Sequence, residues 1–169
     1  DYLGLPPLLP YSGYVLDNWY RLDKSGGISL DNIAMHQNFL GGQDENWFVL
    51  VHVAIEAEAG RALQLATELV EAAAQHDAVK VEQLLTDMNR VWDAMNAHFD
   101  RIPERCDPYI YYQRVRPYIH GWKNNPALPD GLIYEGVAKF AGKPQAFRGQ
   151  TGSQSSIVPA MDGLFQVVH

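Results

Sequence analysis

The chain has 169 residues and a formal net charge of −7, with a pI near 5.2, so it offers no basic face to a nucleic acid. Apolar residues make up 47% of it, which excludes a disordered chain and suffices for one domain with a hydrophobic core. No apolar run approaches the ~20 residues of a membrane span, and the single Cys106 excludes an internal disulfide and fits a reducing cytoplasm.

Pro6, Pro7 and Pro10 punctuate an entry segment. Tyr11, Tyr14, Val15, Leu16, Trp19 and Leu22 recur at helical spacing and predict a helix over 10–22, stopped by Lys24-Ser25-Gly26-Gly27. A short helix capped by Ser29 is expected over 30–40, before Gly41-Gly42 break the chain. The longest helical pattern covers 44–75. Its first half, 47–59, is apolar nearly all round and so is expected to be buried. In its second half, Leu63, Leu65, Leu69 and Val70 stand between charges. Asp77 caps a second long helix, in which Val81, Leu84, Leu85, Met88, Val91, Trp92, Met95, Phe99 and Ile102 recur every three or four residues. The two helices read as an antiparallel hairpin with a short turn.

Pro103 is expected to end the second helix. Asp107-Pro108 opens the next with an N-cap and a first-turn proline; it runs to Trp122, kinked at Pro117. Residues 123–146 form a long loop rich in Pro, Gly and Asn, of a length that compact domains reserve for function. Ser155 caps a last helix over 156–168, with Pro159 near its first turn. No repeat and no strand pattern is present, and the reading is all-α.

Four features can carry chemistry. Arg116 stands on an aromatic helix with Tyr111 and Tyr112, and its planar fork of donors suits a carboxylate, either of a ligand or of an acid on another helix. His52 lies in the apolar run Phe48-Val49-Leu50-Val51-His52 and needs a hydrogen-bond partner, for which Glu56 one turn on is one choice and a ligand another. Gly149-Gln150-Thr151-Gly152-Ser153-Gln154-Ser155-Ser156 allows close backbone approach and opens a helix N-terminus, but it lacks the Gly-Lys-Ser/Thr ending of a phosphate loop. Tyr11 and Tyr14 are either plain core or a pocket wall. His98 reads as a satisfied residue on its helix seam, and His36 and His76 as exposed. Cys106 has no evident base.

Arg114-Val115-Arg116-Pro117-Tyr118-Ile119-His120-Gly121-Trp122, then Asn125-Pro126 through Asp130-Gly131-Leu132-Ile133-Tyr134-Glu135-Gly136, then Gly149 to Ser156 together resemble the indoleamine 2,3-dioxygenase family. The likeness extends over almost the whole chain, from Leu5-Pro6-Pro7 to Ser155-Ser156. It implies an α-helical haem b enzyme with O₂ as co-substrate, opening the indole ring of L-tryptophan to N-formylkynurenine. It also allows a divergent member that rearranges or monooxygenates a tryptophan derivative, or a non-catalytic ligand-binding module. In the likeness Arg116 clamps the substrate carboxylate and Thr151 holds the amino-acid end. His52 takes the catalytic distal position and meets the indole N–H, where mammalian members resemble a serine. Phe48, Tyr11, Tyr14, Tyr111 and Tyr112 shape the pocket, and Val15, Gly149, Gly152 and His120 adjoin the haem. The partner implied is a small indole molecule, with a monomer preferred. Residues 1–169 read as part of a single catalytic domain of a longer, cytoplasmic protein. The small N-terminal domain and the helix with the proximal histidine are expected outside it, the latter beyond His169.

Overall fold

A computed structural model describes residues 6–119, 121–149 and 154–168. Helix α1 (Gln43–Ala74) and helix α2 (Ala78–Phe99) pair side by side. Ala59, Ala62, Leu65, Leu69 and Ala72 on α1 face Leu84, Met88, Val91 and Met95 on α2. The steps of three or four put each set on one helical face. At the turn His76 takes a left-handed conformation (φ +58), and the Asp77 side chain accepts the Lys80 N–H at 3.0 Å, as an N-cap does.

The first half of α1 is buried as its all-round apolarity predicts. Trp47, Val49, Leu50, Val51, Val53 and Ala54 form a second core with Tyr11, Tyr14, Val15, Leu30, Ile33 and Cys106. The Trp47 indole donates to the Arg101 carbonyl at 2.7 Å, while the Arg101 and Arg105 guanidiniums lie over its ring.

The chain before α1 departs from the expected helices over 10–22 and 30–40. It winds one π-turn, Ser12–Leu16, and then extends as β1 (Trp19–Arg21), which pairs antiparallel with β2 (Ile33–Met35). Two asparagines divert it by offering side-chain bonds in place of helical ones. The Asn18 amide donates to the Tyr14 and Gln37 carbonyls, and its oxygen accepts the Gln37 N–H. The Asn32 amide ties the Asp23 and Gly27 carbonyls, and its oxygen accepts the Asp23 N–H. Helical and extended spacing are hard to separate over such short apolar runs. The fold stays mostly helical, with this small ribbon added.

Pro103 does not end α2, which stops at Phe99; it sits in the first turn of α3 (Ile102–Arg105), where its missing N–H costs nothing. Asp107 caps α4 (Pro108–Ile110) as expected, accepting the Tyr109 and Ile110 N–H groups. Beyond α4 the winding changes twice, to a π-turn at Tyr111–Val115 and a 3₁₀ turn at Arg116–Tyr118. The helix therefore ends near Tyr118, short of Trp122. Pro117 lacks an N–H and its ring crowds the carbonyl four residues back, and the widened turn relieves both demands.

The long loop is ordered by its own contacts. Leu132 and Gln145 exchange N–H···O bonds of 3.0 and 2.8 Å, and Tyr134, Phe140 and Phe147 pack with centroids 5.7–5.8 Å apart. Gly131 (φ +88) is required there, since a Cβ would lie 2.2 Å from the Gln145 carbonyl oxygen. The last helix, α5 (Ile157–Phe165), packs Ile157 and Met161 on the hairpin core. The Ser155 hydroxyl accepts the Ile157 N–H at 3.4 Å, and Gln166 in the left-handed region (φ +55) stops α5 before Val168.

Candidate ligand recess

Three segments enclose a recess of about 480 Å³ of empty space, its open mouth included. The first π-turn and the residue before it bring Tyr11, Tyr14 and Val15; α1 brings Phe48 and His52, one turn apart on one face. The second π-turn and its exit bring Tyr111, Arg116 and Ile119. Leu9 and Pro10 complete the wall.

The His52 imidazole is fixed by the helix itself. Its Nδ1 lies 2.7 Å from the Phe48 carbonyl oxygen. A carbonyl only accepts, so Nδ1 carries the proton and Nε2 keeps a lone pair. Burial lowers the His52 pKa below 6.5, against the opposing pull of the Phe48 carbonyl and Glu56. Glu56 is not an ion-pair partner of His52: its carboxylate accepts the Tyr11 hydroxyl at 2.9 Å. The Tyr14 hydroxyl likewise donates to Glu45 at 3.2 Å. Burial first, then the adjacent carboxylates, drives both phenol pKa values well above their ordinary range. They are protonated donors at any physiological pH.

Glu45 escaped the sequence reading. It is wholly buried in the first turn of α1, and reaches back to accept the Phe39, Leu40 and Gly41 N–H groups at 2.8, 2.8 and 2.9 Å. An acid three residues after Gly42, at a helix start, is the signal that could have found it. It ties the entry of α1 to Tyr14.

The Phe48 ring bridges the recess, 4.4 Å from the His52 ring and 4.2 Å from that of Tyr111. Burial raises the Tyr111 pKa, while a side-chain hydrogen bond with Arg116 and its charge act the other way. Arg116 is half-buried, and among the described residues no carboxylate lies within 4.0 Å of it; the ion pairs there are Arg90–Asp87, Arg101–Glu104 and His98–Glu58.

The Tyr112 ring departs from its expected place. It is exposed and lines an open outer groove with Tyr111, Arg116 and Pro117, because the widened turn aims residue 112 outward. Gly149 lines a small cavity beside the recess, sharing Leu9 and Ile119 with it. Thr151, Gly152 and His120 lie outside the described residues. His98 is not fully satisfied: its Nδ1 is buried without a partner among the described residues, while Nε2 is 4.0 Å from Glu58. His36 and His76 are exposed, as expected. Burial, with Asp44 and Asp107 nearby, pushes the Cys106 thiol pKa up to about 11, so it carries no thiolate. Among the described residues no group of three His, Cys, Asp or Glu side chains could hold a bare metal ion, and no helix is long and apolar enough to cross a membrane.

The described chain is thus mostly helical, with an aromatic recess that holds an imidazole acceptor and an arginine at its edge. The chain belongs to the indoleamine 2,3-dioxygenase family, whose model matches residues 1–169. It is 34% identical over 167 residues to indoleamine 2,3-dioxygenase 1 of Rattus norvegicus, and 33% identical over 167 residues to indoleamine 2,3-dioxygenase 2 of Mus musculus. Both alignments cover 99% of this chain and 40% of the relative, so the chain spans less than half the length of these proteins. It is also 30% identical over 169 residues to a Haliotis madaka protein named myoglobin, covering 99% of this chain and 42% of that one.

Proposed function

We propose that this chain supplies the substrate-facing wall of a haem-dependent dioxygenase that opens the indole ring of L-tryptophan to N-formylkynurenine. The observation that carries the reading is the pairing of two ends in one recess. Arg116 offers donors with no described carboxylate to meet them, and His52 offers a fixed acceptor. An amino acid with an indole N–H has the complementary ends.

In this reading the Arg116 fork binds the substrate carboxylate in two parallel hydrogen bonds. The indole ring lies among Phe48, Tyr11 and Tyr14, and its N–H donates to His52 Nε2. The Nδ1 proton stays on the ring and is donated to the Phe48 carbonyl, so the imidazole keeps its tautomer and orientation throughout. Thr151 holds the amino-acid end.

The residues present fit one face of a haem. Val15, Phe48 and Ile119 form an apolar wall. Next to it backbone comes so close to backbone that a Cβ on Gly121 would lie 2.1 Å from the Gly149 nitrogen. Val15 and Gly149, with Gly152 and His120, would adjoin the group. When bound, haem supplies the dioxygen chemistry, while this chain orients the substrate and excludes water.

A second reading, ligand binding without turnover, is favoured by the relative named myoglobin. The test is product analysis of the complete haem-loaded protein incubated with L-tryptophan, reductant and O₂. Catalytic accumulation of N-formylkynurenine supports the first reading; tryptophan binding with no product supports the second and overturns the first.

A further inference from the structure

We propose that the Tyr111 hydroxyl is a second donor to the ligand carboxylate, brought beside Arg116 by the π-turn between them. The inference rests on the reading that Arg116 holds a carboxylate.

Tyr111 and Arg116 are five residues apart. At 3.6 residues per turn, an α-helix would set them about 140° apart around its axis, too far to serve one ligand. Here the Arg116 N–H bonds back to the Tyr111 carbonyl, five residues earlier, which widens the turn and brings residue 116 over residue 111. Both side chains then line the same recess and the same outer groove.

The hydrogen-bond inventory assigns the proton. A guanidinium only donates, so toward the neighbouring Arg116 the Tyr111 oxygen can only accept. The phenolic proton is left over. Among the described residues no acceptor takes it, whereas Tyr14 gives its own to Glu45 and Tyr11 hydrogen-bonds Glu56. The ring is held against Phe48, at 4.2 Å and 32°, so the hydroxyl is aimed rather than free to swing. Burial keeps the phenol protonated. A carboxylate at the rim would therefore meet guanidinium N–H groups and one phenolic O–H from a single turn of chain.

The experiment is calorimetric titration of the complete ferric haem-loaded protein with L-tryptophan and with tryptamine, which lacks the carboxylate. Wild type is compared with Tyr111→Phe, Arg116→Lys and the double variant, with a melting curve for each. Tyr111→Phe keeps the ring and its packing, and should weaken tryptophan binding about tenfold, as loss of a hydrogen bond to a charged group does. Tryptamine should bind as before, and the melting temperature should hold. The double variant should lose less than the two single losses combined, because both donors serve one carboxylate. If Arg116→Lys weakens tryptophan and Tyr111→Phe does not, the inference falls and the Arg116 reading stands. If neither variant weakens it, both fall. Equal weakening of tryptophan and tryptamine by Tyr111→Phe would reduce Tyr111 to a wall residue and also overturn the proposal.

Discussion

The hairpin of α1 and α2 and the recess beside it obey opposite rules. In the hairpin every buried side chain between Ala59 and Met95 is apolar, the helices wind regularly, and charges stay outside. Around the recess the chain winds as two π-turns, and its walls bury or half-bury three tyrosines, a histidine and an arginine. Apolar burial favours folding but recognises no particular polar ligand. Buried polar groups stabilise little on balance, and each must be satisfied, but their directions select a ligand. Changes in the hairpin should therefore move stability alone, and changes in the recess should move recognition, except where one group serves both.

Glu45 is that exception and gives the largest expected effect. Glu45→Ala leaves three backbone N–H groups and the Tyr14 hydroxyl without their acceptor, for a loss of about 4 kcal/mol or more. Chemical denaturation should report it, and tryptophan affinity of the remaining folded protein should fall as Tyr14 shifts. An unchanged denaturation midpoint would mean that water replaces the carboxylate. Next comes Met88→Ala in the hairpin core, where Met88 is 2% exposed. It should cost about 2–5 kcal/mol of stability and leave tryptophan affinity untouched. A parallel loss of affinity would break the division between the two regions.

His52 should give a smaller and pH-dependent effect. Its folded pKa is depressed by burial, so the neutral ring contributes stability above pH 6.5, and that contribution is lost as pH falls through the folded value. The same protonation turns Nε2 from acceptor to donor. Tryptophan affinity should then fall on acidification below pH 6.5, by about fivefold for one hydrogen bond. Affinity for 1-methyltryptophan, which has no indole N–H, should not follow it. Equal pH dependence for both ligands would sink the acceptor role. The smallest effect is expected at the hairpin turn, where Asp77→Ala removes a cap and should cost about 1 kcal/mol, with binding unchanged.

Long elements were legible in the sequence because their signal repeats. α1 ends one residue from the reading of 44–75, and the Asp77 and Asp107 caps hold as expected. The short elements were not. Residues 10–40 hold the same apolar residues whether helical or extended, and side-chain bonds of Asn18 and Asn32 decide the matter through partners distant in sequence. Of the candidate residues that the sequence offers, Tyr11, Tyr14, Val15, Phe48, His52, Tyr111 and Arg116 line one recess. Tyr112 was singled out on the same grounds and faces outward.

The sequence by itself determined the helical class, the hairpin and the chemical types at the recess, because periodicity and side-chain chemistry are local properties. Only the tertiary structure decided which nitrogen of His52 carries its proton, that Glu45 binds the entry to α1, and that Tyr111 stands beside Arg116 while Tyr112 does not. Those outcomes depend on where a carbonyl, a buried carboxylate or a widened turn comes to lie once the segments pack. A hydrogen bond is a matter of distance and direction, and distance and direction between remote residues exist only in the folded chain.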